Sequence, residues 1–105
     1  MNDQFLHTVF FWFKEPGNVS HHKMFEASIL RFMNDSQFAS SWHVGTPAPT
    51  NRKVVDNSYT YCLAVTFETP ELQDKYQSEP AHLKFIDESQ HFWDRVLVYD
   101  SIPIK

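Results

Sequence analysis

Tyr76 and His82 are the pair in this chain best suited to acid–base chemistry, because each falls next to a helix break that can turn it inward. Pro70 follows Thr69 and opens one short helix that carries Tyr76 near its end; Pro80 opens a second, with His82 as its third residue. The positive end of a helix dipole disfavours imidazolium at that position, and burial acts in the same direction. A neutral imidazole near physiological pH can take a proton, and a tyrosine hydroxyl can donate a hydrogen bond to a carbonyl oxygen. His7 shares a strand face with Val9, Phe11 and Phe13, and Tyr61 shares one with Leu63, Val65 and Phe67. Both faces are bulky and should meet the helices, so His7, Tyr61, Tyr76 and His82 are expected to converge. Leu63 and Trp93 would add apolar walls, with Phe25 and Ile29 opposite. Such a set is either a satisfied polar network in the core or a ligand site, and His7 also suits plain packing.

Other chemistries find little support. No two histidines stand four apart beside an acid, and Cys62 has no cysteine companion, so no metal site is expected. Cys62 lies inside an apolar stretch, where it reads as a small hydrophobe. With only Gly17 and Gly45, no glycine-rich phosphate loop can be built, and no organic cofactor is expected. The net charge of −4 and the lack of a Lys/Arg cluster argue against nucleic acid and anionic membranes. His21 and His22 are adjacent and diverge on a helix, which places them at the surface; His43 and His91 are scattered. Asp74, Glu79, Asp87, Glu88 and Asp94 read as a solvated helix surface. The start, Met1 to Phe5, shows no basic segment leading into an apolar one, and no apolar run nears a membrane span. A cytoplasmic location is expected, in keeping with a lone cysteine.

The elements that must position these groups follow from period and punctuation. Residues 5–14 and 59–68 alternate as strands, the second with Tyr59, Tyr61, Leu63, Val65 and Phe67 on one face and Thr60, Cys62, Ala64 and Thr66 on the other. Its two-sided composition predicts a central place in a sheet. Ser20 is expected to cap a helix over 21–33, whose stripe is Phe25, Ile29, Phe32 and Met33. A second strand is expected over 38–46, then a proline-stiffened loop from Pro47 to Arg52. The Pro80 helix runs to Gln90 with Leu83, Phe85 and Ile86 as inward candidates. The last strand, 92–101, sets Trp93, Arg95, Leu97 and Tyr99 against Asp94, Val96, Val98 and Asp100. There are no repeats, low-complexity tracts or linkers, so residues 1–105 read as one domain.

This order is the β-α-β-β-α-β plan of an α+β ferredoxin-like fold: a four-stranded antiparallel sheet with helices on one face. The other face would carry Leu6, Phe10, Trp12, Cys62, Ala64, Val96 and Val98, a patch too apolar to leave in water. Covering a few hundred Å² at about 25 cal/mol per Å² is worth on the order of 10 kcal/mol before association costs. Ten Phe, four Tyr and three Trp in 105 residues point the same way. A homodimer through the sheet face is expected.

Several stretches carry a resemblance: His7 to Lys14, His43 to Ala48, Tyr59 to Glu68, Tyr76, Pro80-Ala81-His82, Phe92-Trp93 and Val98-Tyr99-Asp100. In order and spacing they resemble the stress-responsive A/B barrel domain family across nearly the whole chain. The resemblance implies the ferredoxin-like fold and a dimeric α/β barrel. Family members are mostly described as stress-responsive proteins without assigned biochemistry. A plant member is a polyketide cyclase that closes a linear tetraketide by intramolecular aldol condensation, without metal or organic cofactor. Its catalytic pair is similar to Tyr76 and His82, and His7 matches a pocket histidine. Tyr61 stands where that enzyme has a further histidine, and Glu79 replaces a histidine ahead of Pro80.

Three functions fit this pattern. One is a small-molecule binding or stress-protective protein with a pocket for an apolar or aromatic molecule. A second is a cofactor-free cyclase or isomerase with His82 as base and Tyr76 as acid. A third is a haem- or quinone-related monooxygenase, as in neighbouring families of the same fold.

Overall fold

The computed structural model describes residues 5–104. The expectation drawn from Met1 to Gln4, and the outer ends of the domain, lie outside the described residues. The elements run β1 (Phe5–Phe13), α1 (Val19–Asp35), β2 (Ser41–Gly45), β3 (Tyr61–Phe67), α2 (Pro70–Ser78), α3 (Pro80–Ser89), a 3₁₀ turn (Gln90–Phe92) and β4 (Trp93–Ser101). The sheet order is β2-β3-β1-β4 with every neighbouring pair antiparallel. This is the expected four-stranded ferredoxin-like sheet, with β3 central beside β1.

One face of the two central strands is closed. His7, Val9, Phe11 and Phe13 of β1 and Tyr61, Leu63, Val65 and Phe67 of β3 are all buried, against Phe25, Ile29, Phe32 and Met33 of α1. Rings do most of the joining. Phe25 lies 5.1 Å from Phe11, 5.1 Å from Phe13 and 4.6 Å from Tyr61, and Phe32 stacks on Phe85 at 5.2 Å. Offset and edge-on pairs of this kind each contribute about 0.5–1.5 kcal/mol beyond the area they bury.

Local chemistry moves several expected boundaries. Helix α1 is capped by Asn18, not Ser20: the Asn18 side chain accepts from the His21 N–H at 3.1 Å, so the helix starts earlier and runs on to Asp35. Strand β2 is shorter than expected, because residues 38–40 turn into the sheet, with the Ser40 N–H reaching the Thr66 carbonyl. Tyr59 does not share a face with Tyr61. The chain bends at Thr60, whose N–H donates to the Phe11 carbonyl and whose hydroxyl accepts from the Phe13 N–H. Tyr59 therefore packs on Phe10, 5.0 Å away on the outer face. Leu83 is exposed and Ile86 only partly buried, so of the three inward candidates Phe85 alone is enclosed, with Ser89 buried at the helix end. Glu79 is buried too, not part of a solvated surface. Its carboxylate accepts from the Ser36 hydroxyl at 2.5 Å and the Gln37 N–H, which ties the α2–α3 junction to the end of α1.

The largest correction concerns β4. Trp12 pairs with Arg95 and Phe13 with Trp93, so Asp94 is an extra residue and the register shifts. Beyond this bulge the parity is the reverse of the expected one. Val96, Val98 and Asp100 turn toward the helices, joining Trp93 on that side. Leu97 and Tyr99 turn outward to meet Phe10 and Trp12, and the Arg95 guanidinium lies 4.4 Å over the Trp12 ring. The outer face thus carries Leu6, Phe10, Trp12, Cys62, Ala64, Leu97 and Tyr99, and not Val96 or Val98.

Candidate functional site

The helices leave a gap over the β1–β4 side of the sheet, and a cavity of about 300 Å³ occupies it. His7, Val9 and Phe11 of β1, Leu63 of β3, and Val96, Val98 and Asp100 of β4 form its floor. Phe32, Tyr76, His82, Phe85 and Ile86 form its roof, and Trp93 also lines it. A larger, shallow depression of about 630 Å³ lies at the α2–α3 junction beside Lys75 and Lys84, and holds neither Tyr76 nor either of these histidines.

Each polar group reaches the cavity for a local reason. Thr69 caps α2 by accepting from the Leu72 N–H, and Pro70 fixes its first turn, which brings Tyr76 inward two residues before the helix ends at Ser78. Pro80 then restarts the chain, with the His82 N–H bonded to the Glu79 carbonyl at 3.0 Å. The Tyr76 ring sits between two imidazoles, 5.8 Å from His7 and 5.3 Å from His82. His7 and Asp100 are direct cross-strand partners, and Nδ1 of the histidine lies 2.5 Å from the carboxylate. His7 is 5% exposed, whereas the Asp100 side chain stands at the mouth. A carboxylate can only accept, so Nδ1 is the nitrogen that donates in this contact.

Burial separates the protonation behaviour of the other two groups. It lowers His82 below the usual histidine value; the nearby His7 adds to this, while the Gln77 carbonyl and the Glu79 charge oppose it. The imidazole is therefore neutral at physiological pH. Tyr76 moves the other way: burial first, and then the Glu79 charge, push its hydroxyl far above the ordinary tyrosine range. It stays protonated as a donor. Two enclosed nitrogens of cavity-lining residues, His82 Nδ1 and Trp93 Nε1, have no hydrogen-bond partner among the described residues. Native interiors rarely tolerate such atoms without a bound partner or ordered water.

Of the residues expected at the site, His7, Tyr76, His82, Leu63 and Trp93 line this cavity. Tyr61, Phe25 and Ile29 do not. Tyr61 pairs with Phe11 and His7 with Val65, which separates Tyr61 from His7 by about 13 Å of strand. The Tyr61 hydroxyl instead donates to Glu26 and lies 2.8 Å from His22 Nδ1, and burial, then Glu26, push that phenol up as well. His22 is therefore a half-buried, partnered residue of the helix surface; its Nε2 donates to the Pro16 carbonyl at 2.6 Å. Phe25 and Ile29 are wholly enclosed core residues. Asp100 is the functional candidate that parity concealed, since the bulge at Asp94 leaves no sequence signal. Among the described residues, no group of three or more His, Cys, Asp or Glu gathers as a metal site, and no helix is long and apolar enough to cross a membrane.

Fold and cavity together define a ferredoxin-like α+β domain with a cavity between sheet and helices that His7, Tyr76, His82 and Asp100 line. The chain belongs to the stress responsive A/B barrel domain family, whose sequence profile matches residues 5–103. It is 37% identical to olivetolic acid cyclase of Cannabis sativa over 54 residues, 51% of this chain and 54% of that protein. The match thus spans about half the length of this curated relative. A family member from Mesorhizobium loti superposes with a TM-score of 0.80 at 16% identity, over 99% of this chain and 100% of that one. Hydroxynitrile lyase from Passiflora edulis gives 0.78 at 19% identity, over 98% and 95%. A dimeric ferredoxin-like protein of unknown function from Thermobifida fusca gives 0.78 at 8% identity, over 98% and 93%.

Asp100→Asn should remove the anionic acceptor at Nδ1 of His7. In nitrogen-resolved NMR the wild-type imidazole is expected as the Nδ1–H tautomer, and the variant as a mixture shifted toward Nε2–H. An unchanged tautomer would show that Asp100 does not orient this ring.

Proposed function

We propose that the cavity binds a small apolar or aromatic carbonyl compound and moves a proton on it without metal or organic cofactor. The observation that carries this reading is the placement of Tyr76 between His7 and His82 in one apolar cavity. In the proposed step, His82 takes a proton from the carbon beside the carbonyl. Tyr76 donates a hydrogen bond to the oxygen as negative charge develops there, and a low-dielectric surround strengthens that bond. Enolate formation of this kind is shared by aldol closure and isomerisation. The partial likeness to olivetolic acid cyclase supports the first, and the hydroxynitrile lyase shows that the fold also hosts a lyase. At about 300 Å³ the cavity lies at the small end of ligand pockets, which favours a one- or two-ring molecule over a haem.

The second reading is a binding protein without turnover, supported by the same apolar lining. In either case the outer face needs a cover. Leu6 is 40% and Tyr99 61% exposed, on a face continuous with Phe10 and Leu97. A second copy of the chain would supply a matching surface, and the neighbour from Thermobifida fusca is dimeric. A cytoplasmic setting fits the unpaired Cys62.

The wild-type protein should speed exchange of the methyl protons of acetophenone in deuterated water, followed by NMR. His82→Ala and Tyr76→Phe should each slow it by about 10²–10⁴-fold. Because the His82 value lies below 6.5, the neutral base fills in as pH rises through a point on the acid side of that figure. Exchange should then stay flat, since Tyr76 is held above 10.0 and gives no alkaline limb before that value. Variants exchanging at the wild-type rate would remove these residues from the chemistry; binding with no exchange would leave the binding-protein reading. Sedimentation should give a dimer at micromolar concentration and a monomer for Phe10→Glu, whereas a well-folded wild-type monomer would contradict the proposed interface.

A further inference from the structure

Glu79 stands at the break between α2 and α3, and its backbone serves both Tyr76 and His82. Its N–H donates to the Tyr76 carbonyl at 3.3 Å, and its carbonyl accepts from the His82 N–H at 3.0 Å. A carboxylate just ahead of a helix normally caps it, accepting from an N–H of the first turn. Glu79 makes no such bond to α3. Its side chain turns to the end of α1 instead. One oxygen accepts from the Ser36 hydroxyl at 2.5 Å, the other from the Gln37 N–H at 3.3 Å. At 8% exposure, water competes little for those bonds. The Ser36 N–H in turn donates to the Phe32 carbonyl, and the Phe32 ring lies 5.2 Å from Tyr76 and 5.4 Å from His82. Tyr76 and His82 are 5.3 Å apart, so the three rings form a triangle. The Glu79–Ser36 bond ties its two supports, α1 and the α2–α3 break, together.

We infer that Glu79 is a positioning residue for the proposed reaction: by bolting the α2–α3 break to α1, it fixes how Tyr76 and His82 face a bound carbonyl. This deepens, and rests on, the reading of the cavity as a proton-transfer site. Glu79 is not among the residues lining the cavity, so it acts through the pair and not on the ligand. Its backbone is extended (φ −68°, ψ 148°), which interrupts the helix and leaves the angle between α2 and α3 to side-chain ties. Its charge adds a second effect, favouring imidazolium at His82 where burial, the larger influence, disfavours it. The titratable groups facing His82 in the cavity are His7 and Asp100 from the sheet and Tyr76 from α2. Asp35, Lys75 and Lys84 line the depression beside Glu79.

The test follows methyl-proton exchange of acetophenone in deuterated water, across pH, in Glu79→Ala, Glu79→Gln and Ser36→Ala. Glu79→Ala loses both tie and charge, and its plateau rate should fall about ten- to a hundredfold with acetophenone affinity unchanged. Glu79→Gln keeps an oxygen for Ser36 and should recover most of that rate. Without the charge, it should reach half its plateau at a more acidic pH than the wild type. Ser36→Ala keeps the charge, and should lose rate with the midpoint in place. Should Glu79→Ala fail to fold, the other two variants decide by the same criteria. Variants that exchange as the wild type does would overturn the inference while the proton-transfer reading stands. A loss that only tracks weaker binding, with the Glu79→Gln midpoint unmoved, would mark Glu79 as merely structural and overturn it too. A wild-type protein that exchanges nothing takes down the reading itself, and the inference with it.

Discussion

The extra residue in β4 governs what the rest of the molecule can do. A strand's side chains alternate strictly, so one unpaired residue reverses every facing beyond it. With Asp94 bulged, Trp93 and Val96 both turn toward the helices, followed by Val98 and Asp100. Without it, either Trp93 would leave the cavity or Asp100 would lose His7. The same reversal sends Leu97 and Tyr99 outward, where they extend the aromatic surface of Phe10 and Trp12. Cavity and outer face are thus two results of one register.

Within the cavity, a single cause produces two opposite protonation states. Burial disfavours charge, so it holds His82 neutral and Tyr76 protonated at once. A neutral imidazole and a protonated phenol therefore stand side by side at neutral pH. Glu79 opposes burial at His82, where it favours the charged imidazole, and reinforces it at Tyr76, where it disfavours the phenolate, from a position tied to Ser36. His7 gains its orientation across the sheet from Asp100. The Tyr61, Glu26 and His22 group at the far end of β3 is a separate polar cluster, joining α1 to the sheet.

Much of the fold was legible because period and punctuation agree. Clean alternation in β1 and β3, with Pro70 and Pro80 at helix starts, leaves few arrangements open. Tyr76 and His82 could be placed from those prolines, and His7 from its parity with Phe11. Tyr61 misled because a shared face says nothing of position along the strand; antiparallel pairing sets it opposite Phe11, away from His7. Asp100 and the true facing of Val96 and Val98 were hidden, since a bulge depends on pairing with β1 and leaves no mark in composition. Asn18 displaced Ser20 as the cap because both are good capping residues two apart.

The most direct test of this account is a set of methyl contacts measured by NMR. The methyl groups of Val98 should show cross-relaxation with those of Leu63 and Val9, inside the cavity. Contacts from Val98 to the Phe10 ring and the Cys62 side chain instead would place it on the outer face. The bulge would then be absent, and Asp100 could not reach His7.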